Sequence, residues 1–367
     1  MIKVMQVSTD SNIGGAGIWL LTYLAHYNRN EIDMVVVIPK ESKLKERIEE
    51  LGVRYIEADG IRDVSFSREA IGVLRSIIRN EKPDVIHTHA SLSARIAAKL
   101  EKIPTANTRH CIEAPKRGVK KAVYRILNNY LSDAVVAVSK AVYDNLTEDG
   151  ISEDKLRLIY NGVRPLREID EDRKNEIKAR LGIENCFTAG IFARLEPVKN
   201  HMLFLEAAAA MYKLNDAFRF LIVGSGGLEN ALKEEVKRLG LEDAVIFTGY
   251  VQDIAELMNV VDVNVLTSDF EALSISLIEG MTVAKPCVTT DAGGTREVVK
   301  NGVSGFVVPV RDVANLAASI LRLASDTALC RSMGEAGRKI AFEKFSPEEM
   351  SDKLFVMYKE LSGKRKD

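Results

Sequence analysis

The stretch CFTAGIFARLEPVKNHMLFLEAAAAMYKL, Cys186–Leu214, decides the architecture. CFTAGIFARL is an apolar run of strand length, and NHMLFLEAAAAMYKL is a helical pattern. The pair opens a series. Strands are expected at FRFLIVGSG, AVIFTGY, VDVNVLT, PCVTTDAGG and VSGFVVP, with helices between. Continuous apolar strands alternating with helices indicate a parallel sheet covered on both faces. Upstream lies RPLREIDEDRKNEIKARLG, 164–182, charged and proline-containing, which reads as a linker running into a surface helix. Before it the alternation occurs once already, through IKVMQVS, MVVVI, VRYIE, DVIHTH, PTANT, AVVAVS and LRLIY. The chain is therefore α/β, two doubly wound units in tandem. Ligands in such sheets bind outside the carboxyl ends of the strands. Residues 311–362 read as helical, with a break at Pro347 before EEMSDKLFVMYKEL.

Composition narrows the function classes. Of 367 residues 46% are hydrophobic, enough for two cores, and 51 basic residues nearly cancel 52 acidic ones. No global field favours nucleic acid, so any anion site is local. Cys111, Cys186, Cys287 and Cys330 are scattered, which argues against a zinc site or a disulfide framework. The N-terminus MIKVMQVSTD lacks a signal-peptide core, and no stretch reaches the ~18 apolar residues of a membrane span. A cytoplasmic protein is the expectation.

Three stretches suggest a site. Gly14, Gly15 and Gly17 stand between a strand and a helix, where glycine lets backbone N–H groups approach a phosphate or sugar, or simply makes a tight turn. Their spacing is not Gly-x-Gly-x-x-Gly, so a nicotinamide or flavin enzyme loses its main support. In FARLEPVKN, Arg194 and Lys199 sit at a strand-to-helix junction, an arrangement suited to an anion or to an ordinary surface ion pair. Each cation ~4 Å from a phosphate oxygen is worth at most ~4 kcal/mol at an effective dielectric near 20. FEALSISLIEGM, Phe270–Met281, sets Glu271 and Glu279 eight residues apart. On one helix they would lie ~12 Å apart along the axis, too far for the ~5–5.5 Å carboxylate pair of a retaining glycosidase. Ser274 and Ser276 suit a helix N-cap and first turn, which puts Glu271 in the loop and Glu279 inside the helix. Two acids flanking a helix N-terminus match a hexose, a diphosphate and a ribose in line.

With RLEPVKN upstream and DAGGTREVVKNGVSGFVVP downstream, these residues resemble the retaining glycosyltransferases of family 4, which have the GT-B fold. The resemblance spans nearly the whole chain, through GGAG, DVIHTH, TRH at 108–110, VSKAVYDNL and IYNGV. It implies two Rossmann-like domains facing across a cleft and closing on substrate. Residues 1–165, with a helix at about 347–362 crossing back, would hold the acceptor, and 166–346 the nucleotide sugar. Arg194 and Lys199 look like the pair on the donor diphosphate, Glu279 like the ribose ligand, and Glu271 and His110 like the groups near the donor sugar. Arg194, Lys199, Glu271 and His110 would be catalytic. Donor binding would also involve Gly15, Tyr250 and Val251 in the base-binding segment, and Ala272, Leu273, Ser274 and Ile275. Gly14, Gly15, His87, His89, Arg109 and His110 would line the acceptor side. Where the family pattern carries glycines after its first glutamate, this chain has Ala272, Leu273 and Ser274, small at both former glycine positions. His110 stands in TRHC where His-Gly is commoner.

The expected activity is transfer of a sugar from a nucleotide diphosphate to an acceptor hydroxyl with retention, without cofactor or metal, in polysaccharide, glycolipid or glycoconjugate assembly. The alternatives are a nucleotide-sugar epimerase of the same fold and a non-catalytic nucleotide-sugar binder. His87 and His89 share a strand face but no third metal ligand is apparent, so a cleft or packing role is expected. Asp170–Asp172 falls in the charged linker and reads as a solvated face. In 109–131, Arg109, Lys116, Arg117, Lys120, Lys121 and Arg125 face only Glu113, and Val119, Val123, Ile126, Leu127 and Tyr130 interleave with them. A basic amphipathic helix of this kind suits the inner face of a membrane or an anionic lipid-linked acceptor.

Overall fold

The structure, a computed structural model, describes residues 1–9, 11, 14–62, 64–89 and 91–364. It divides into two compact units. One comprises Met1–Gly162 and the segment from Phe345 onward, and the other Val163–Lys344. The boundary thus falls three residues before the expected one.

The first unit alternates β1 (Ile2–Val7), α1 (Gly15–His26), β2 (Ile32–Pro39), α2 (Leu44–Glu50), β3 (Arg54–Ala58), α3 (Arg68–Glu81), β4 (Val85–His89), α4 (Leu92–Leu100), β5 (Thr105–Arg109), α5 (Gly118–Leu131), β6 (Ala134–Ala137), α6 (Lys140–Glu148) and β7 (Leu156–Leu158). Its strands are all parallel, in the order β3-β2-β1-β4-β5-β6-β7. The second unit runs α7 (Glu171–Leu181), β8 (Phe187–Phe192), α8 (His201–Tyr212), β9 (Phe218–Val223), α9 (Glu229–Leu239), β10 (Val245–Gly249), α10 (Ala255–Val260), β11 (Val263–Leu266), α11 (Ile275–Thr282), β12 (Cys287–Thr290), α12 (Thr295–Val298), β13 (Gly305–Val308), α13 (Val313–Ser325) and α14 (Thr327–Lys344). Its order, β10-β9-β8-β11-β12-β13, is also wholly parallel.

Each sheet reverses direction once, between β1 and β4 and between β8 and β11. Loops leaving adjacent strands at such a point part to opposite faces and leave a crevice at the carboxyl ends. The glycine loop and His87–His89 stand at the first reversal, and the Arg194–Lys199 loop and Glu271 at the second. Both sheets are walled in by apolar side chains. Phe220, Ile222, Val263 and Val265 share one core with side chains of α8 and α13, and Val4, Met34, Val36 and Val136 share another with side chains of α1.

The last helix, α15 (Pro347–Ser362), starts at the expected proline, with Ser346 capping it through Glu349 N. Its Met350, Leu354, Met357, Tyr358 and Leu361 are buried with Trp19, Leu20 and Tyr23 of α1, so it completes the core of the first unit. Gly162, where the chain leaves that unit, runs so close to α15 that a Cβ there would lie 2.5 Å from Pro347 Cα. Asp170 of the Asp170–Asp172 run caps α7 by accepting from Arg173 N, an ordinary helix start.

Candidate functional site

The second-unit site grows from two loops tied to each other. After β8, a turn at Pro197–Lys199 ends at Asn200, which takes a left-handed conformation (φ 46°) and caps α8 by accepting from Leu203 N. After β11, Thr267 Oγ1 donates to the carbonyls of Lys199 and Asn200, both at 3.0 Å, and Asp269 N donates to Val198 O at 2.8 Å. These bonds fix Lys199 against the second loop. There Lys199 Nζ pairs with Glu271 Oε1, which also accepts from Ser268 Oγ at 2.7 Å. The pair is largely desolvated, Lys199 being 20% and Glu271 9% exposed. Ser268, which sequence reasoning missed, is itself held where Thr290 Oγ1 donates to its carbonyl at 2.6 Å.

Ser274 caps α11, accepting from Leu277 N, so Glu271 precedes the helix and Glu279 sits within it. Ala272 and Ile275 are half-buried and Leu273 is buried. No hydrogen bond or ion pair engages the Glu279 carboxylate among the described residues, and desolvation pushes its pKa up to about 7. Its half-buried position leaves that carboxylate partly shielded from water without a protein donor, which is costly, and ligand hydroxyls would offset that cost.

Arg194 is placed differently from Lys199. Its guanidinium pairs with Glu196 at 2.7 Å and is 74% exposed. Tyr250 is exposed and Val251 half-buried just past β10, where Gly249 takes a positive φ and its carbonyl accepts from Gly224 N at 2.9 Å. Gly224 was not singled out in the sequence. A Cβ on it would lie 2.1 Å from Ala193 O, so the GSGG loop presses on the backbone just before Arg194.

In the first unit, Gly14 is the N-cap of α1 and Gly15 its first residue, so the N-cap itself has no side chain with which to cap that end. A Cβ on Gly15 meets nothing within 4 Å, so the need for glycine there is not one of internal crowding. His87 and His89 do have a third histidine beside them. His89 stacks on His87 and on His110, with centroids 5.3 and 5.2 Å apart, and His89 Nδ1 lies 2.9 Å from His110 Nε2. His87 is wholly buried, bonded to Tyr358 and Thr108, so its ring is within the core and not on an open surface. Burial pushes the pKa of His87 down to about 3 and that of His110 to about 4, and puts His89 well below its ordinary value. No group of three His, Cys, Asp or Glu suited to a metal ion occurs among the described residues. Arg109 is buried, pairs with Glu113 and lies over the Tyr124 ring.

The basic stretch needs a correction. Lys116 faces Asp149 as well as Glu113, at 2.9 and 2.7 Å, so it and Arg109 are structural cations. The remaining helix is unusual in what it leaves uncovered. α5 buries Asn128 and Leu131, while Val119 is 79%, Ile126 61% and Tyr130 63% exposed. Val123 and Leu127 continue that apolar stripe, and Arg117, Lys120, Lys121 and Arg125 are exposed beside it.

Comparison with known proteins places both halves of the chain. The family described as glycosyl transferases group 1 matches residues 173–340, and glycosyltransferase family 4 matches 13–167. A UDP-Gal:alpha-D-GlcNAc-diphosphoundecaprenol alpha-1,3-galactosyltransferase of Escherichia coli is 28% identical over 78% of this chain and 77% of its own length. N-acetyl-alpha-D-glucosaminyl L-malate synthase of Bacillus anthracis is 27% identical over 78% and 77%. Among solved structures, Anabaena HepE in complex with UDP superposes with a TM-score of 0.86 at 22% identity, covering 98% of this chain and all of that one.

Proposed function

Because the chain belongs to glycosyltransferase family 4, and is thus a GT-B glycosyltransferase acting on nucleotide sugars, we propose a retaining enzyme that passes a sugar from a nucleotide diphosphate to an acceptor hydroxyl. The observation that carries the reading is Glu279, a half-buried carboxylate on the helix that follows Glu271, with no hydrogen bond or ion pair among the described residues and a pKa raised by partial desolvation. In this reading Glu279 accepts the ribose hydroxyls, and Lys199 and Arg194 meet the charge developing on the leaving diphosphate. Within the second unit Glu271 contacts the donor sugar and Tyr250 and Val251 border the base; in the first unit His110 meets a sugar hydroxyl. The leaving phosphate takes the acceptor proton, with no covalent enzyme intermediate and no metal. The nucleotide belongs to the second unit and the acceptor to the first.

Nucleotide sugars such as UDP-glucose, which the Anabaena protein binds in another crystal, are the first probes. Saturation at about 100 times Kd adds roughly 2.7 kcal/mol of stability, a rise in Tm of about 5–10 °C at 2–4 °C per kcal/mol. The diphosphate of UDP-glucose is esterified at both ends and does not titrate between pH 6 and 8. Glu279 does. Its ionised form accepts the hydroxyls, so affinity strengthens as pH rises through about 7. Glu279→Gln binds more weakly and loses this slope. A panel of nucleotide sugars that leaves Tm unmoved, or a Glu279→Gln variant that keeps the wild-type slope, would overturn the assignment.

The acceptor side extends to a membrane. We place the protein in the cytoplasm, at the inner face, with α5 lying on anionic lipid and the acceptor lipid-linked, in polysaccharide or glycolipid assembly. Val119, Val123, Ile126, Leu127 and Tyr130 recur at intervals of three and four, one helix face, and cations flank them. The E. coli relative acts on a diphosphoundecaprenol acceptor by name. Vesicles containing phosphatidylglycerol are expected to sediment the protein and phosphatidylcholine vesicles to leave it in solution. Ile126→Glu should abolish sedimentation without altering Tm, since that side chain is exposed. Equal sedimentation by both vesicles, or by the variant, would refute lipid docking.

A further inference from the structure

The stacked histidines carry a hydrogen-bond order that reaches His110 from the C-terminal helix. Gln6 of β1 donates from Nε2 to the Tyr358 hydroxyl at 2.9 Å, and its Oε1 lies 3.3 Å from His89 Nε2. An amide oxygen only accepts, so His89 carries its proton on Nε2 and turns a bare Nδ1 toward His110. His110 Nε2, 2.9 Å away, must then donate. That leaves His110 Nδ1 as a lone pair, because the ring is neutral. On the other branch the Tyr358 hydroxyl, having accepted from Gln6, donates to His87 Nδ1 at 2.6 Å, and His87 Nε2–H donates to Thr108 Oγ1 at 2.6 Å. All these protons follow from the Gln6 amide, whose half-turn would reverse each of them. Trp19 closes the assembly, edge-on to all three imidazoles at centroid distances of 5.5, 4.8 and 5.8 Å. The register explains why these residues meet. Gln6 is paired with His87 across β1 and β4, and His89 with Thr108 across β4 and β5.

We propose that His89 is a positioning residue: together with Gln6 and Tyr358 it holds His110 in the tautomer with a bare Nδ1, so that His110 accepts a hydrogen bond from a substrate hydroxyl and donates none. The proposal rests on the reading that His110 meets the sugar. Among the described residues, the hydrogen bond from His110 Nε2 to His89 is what specifies the tautomer. The chemistry of His110 is set three side chains away, through His89 and Gln6 to Tyr358 of the C-terminal helix.

The test uses the full-length protein in two readouts. Long-range ¹⁵N–¹H spectra of histidine-labelled protein at pH 7.5 should show His110 protonated on Nε2. Gln6→Met and His89→Ala should each shift it toward a mixture of tautomers, and Tyr358→Phe less so. The sole tryptophan, Trp19, reports by its fluorescence whether the variants keep the stack folded. In a transferase assay His89→Ala should lower kcat on the order of 100-fold, as small displacements of a reacting group do. KM for the nucleotide donor should stay within about twofold, since Lys199, Glu271 and Glu279 lie in the other unit. A wild-type His110 protonated on Nδ1, a tautomer unmoved in both variants, or a changed tautomer with unchanged kcat would each overturn the proposal. If the wild type bound and turned over no nucleotide sugar, the functional reading would fall, while the spectra would still decide the relay.

Discussion

Lys199→Ala should lower kcat/KM on the order of 10²–10³-fold, about 3–4 kcal/mol, the scale of removing one preorganised group from a developing anion. The expectation follows from how Lys199 is held. Two backbone carbonyls of its loop are pinned by Thr267, and its ammonium is largely shielded from water beside Glu271. A charge held in place in a desolvated site needs no reorganisation when the diphosphate departs. Arg194→Ala should cost less, about tenfold, because its guanidinium is mostly in solvent and already paired with Glu196, where screening weakens its field. Truncating Lys199 also strands Glu271 with Ser268 as its remaining partner, so Tm should be measured alongside the steady-state rates. Activity within threefold of wild type for Lys199→Ala, or a greater loss for Arg194→Ala, would remove Lys199 from the diphosphate.

Gly294→Ala is the second large effect, and it acts on Glu271 through the backbone without touching its carboxylate. Gly294 N donates to Glu271 O at 2.9 Å, and a Cβ on residue 294 would stand 2.0 Å from Ala272 O. Its φ of −75° is one any residue adopts, so the demand for glycine is one of space. The neighbour is backbone and cannot swing aside. The loop 271–273 must retreat, losing that hydrogen bond at ~1 kcal/mol and adding ~1–3 kcal/mol of overpacking. A shift of Glu271 near 1 Å should cut kcat on the order of 100-fold, with Tm several degrees lower. Gly72→Ala is the control. Gly72 is exposed inside α3 with nothing within 4 Å of its Cβ position, so alanine should leave activity alone and stabilise by up to ~1 kcal/mol. Normal activity in Gly294→Ala would show that the loop tolerates the displacement.

The parts of the site that were legible in advance are those encoded within one loop and the helix after it. Ser274 as a cap, Glu271 before α11 and Glu279 inside it follow from residue types a few positions apart. So does Lys199 at the turn before α8. The partners were not legible. Lys199 and Glu271 read as two independent ligand-binding groups, yet they are paired in the structure. Arg194 read as the twin of Lys199, but its side chain lies in solvent beside Glu196. Ser268 carries no pattern of its own, and it matters only because β11 and β12 place it between Thr290 and Glu271.

As a string of residues, the chain dictates its strands and helices, and with them two parallel sheets, because burial on both faces of a strand and on one stripe of a helix is written at periods of two to four residues. Contacts between distant residues have no such period. Lys199 and Glu271 are separated by 72 positions and His87 and Tyr358 by 271. Only the packing of loops at the sheet reversals, and of α15 against α1, could bring a carboxylate to the lysine and a tyrosine to the histidines.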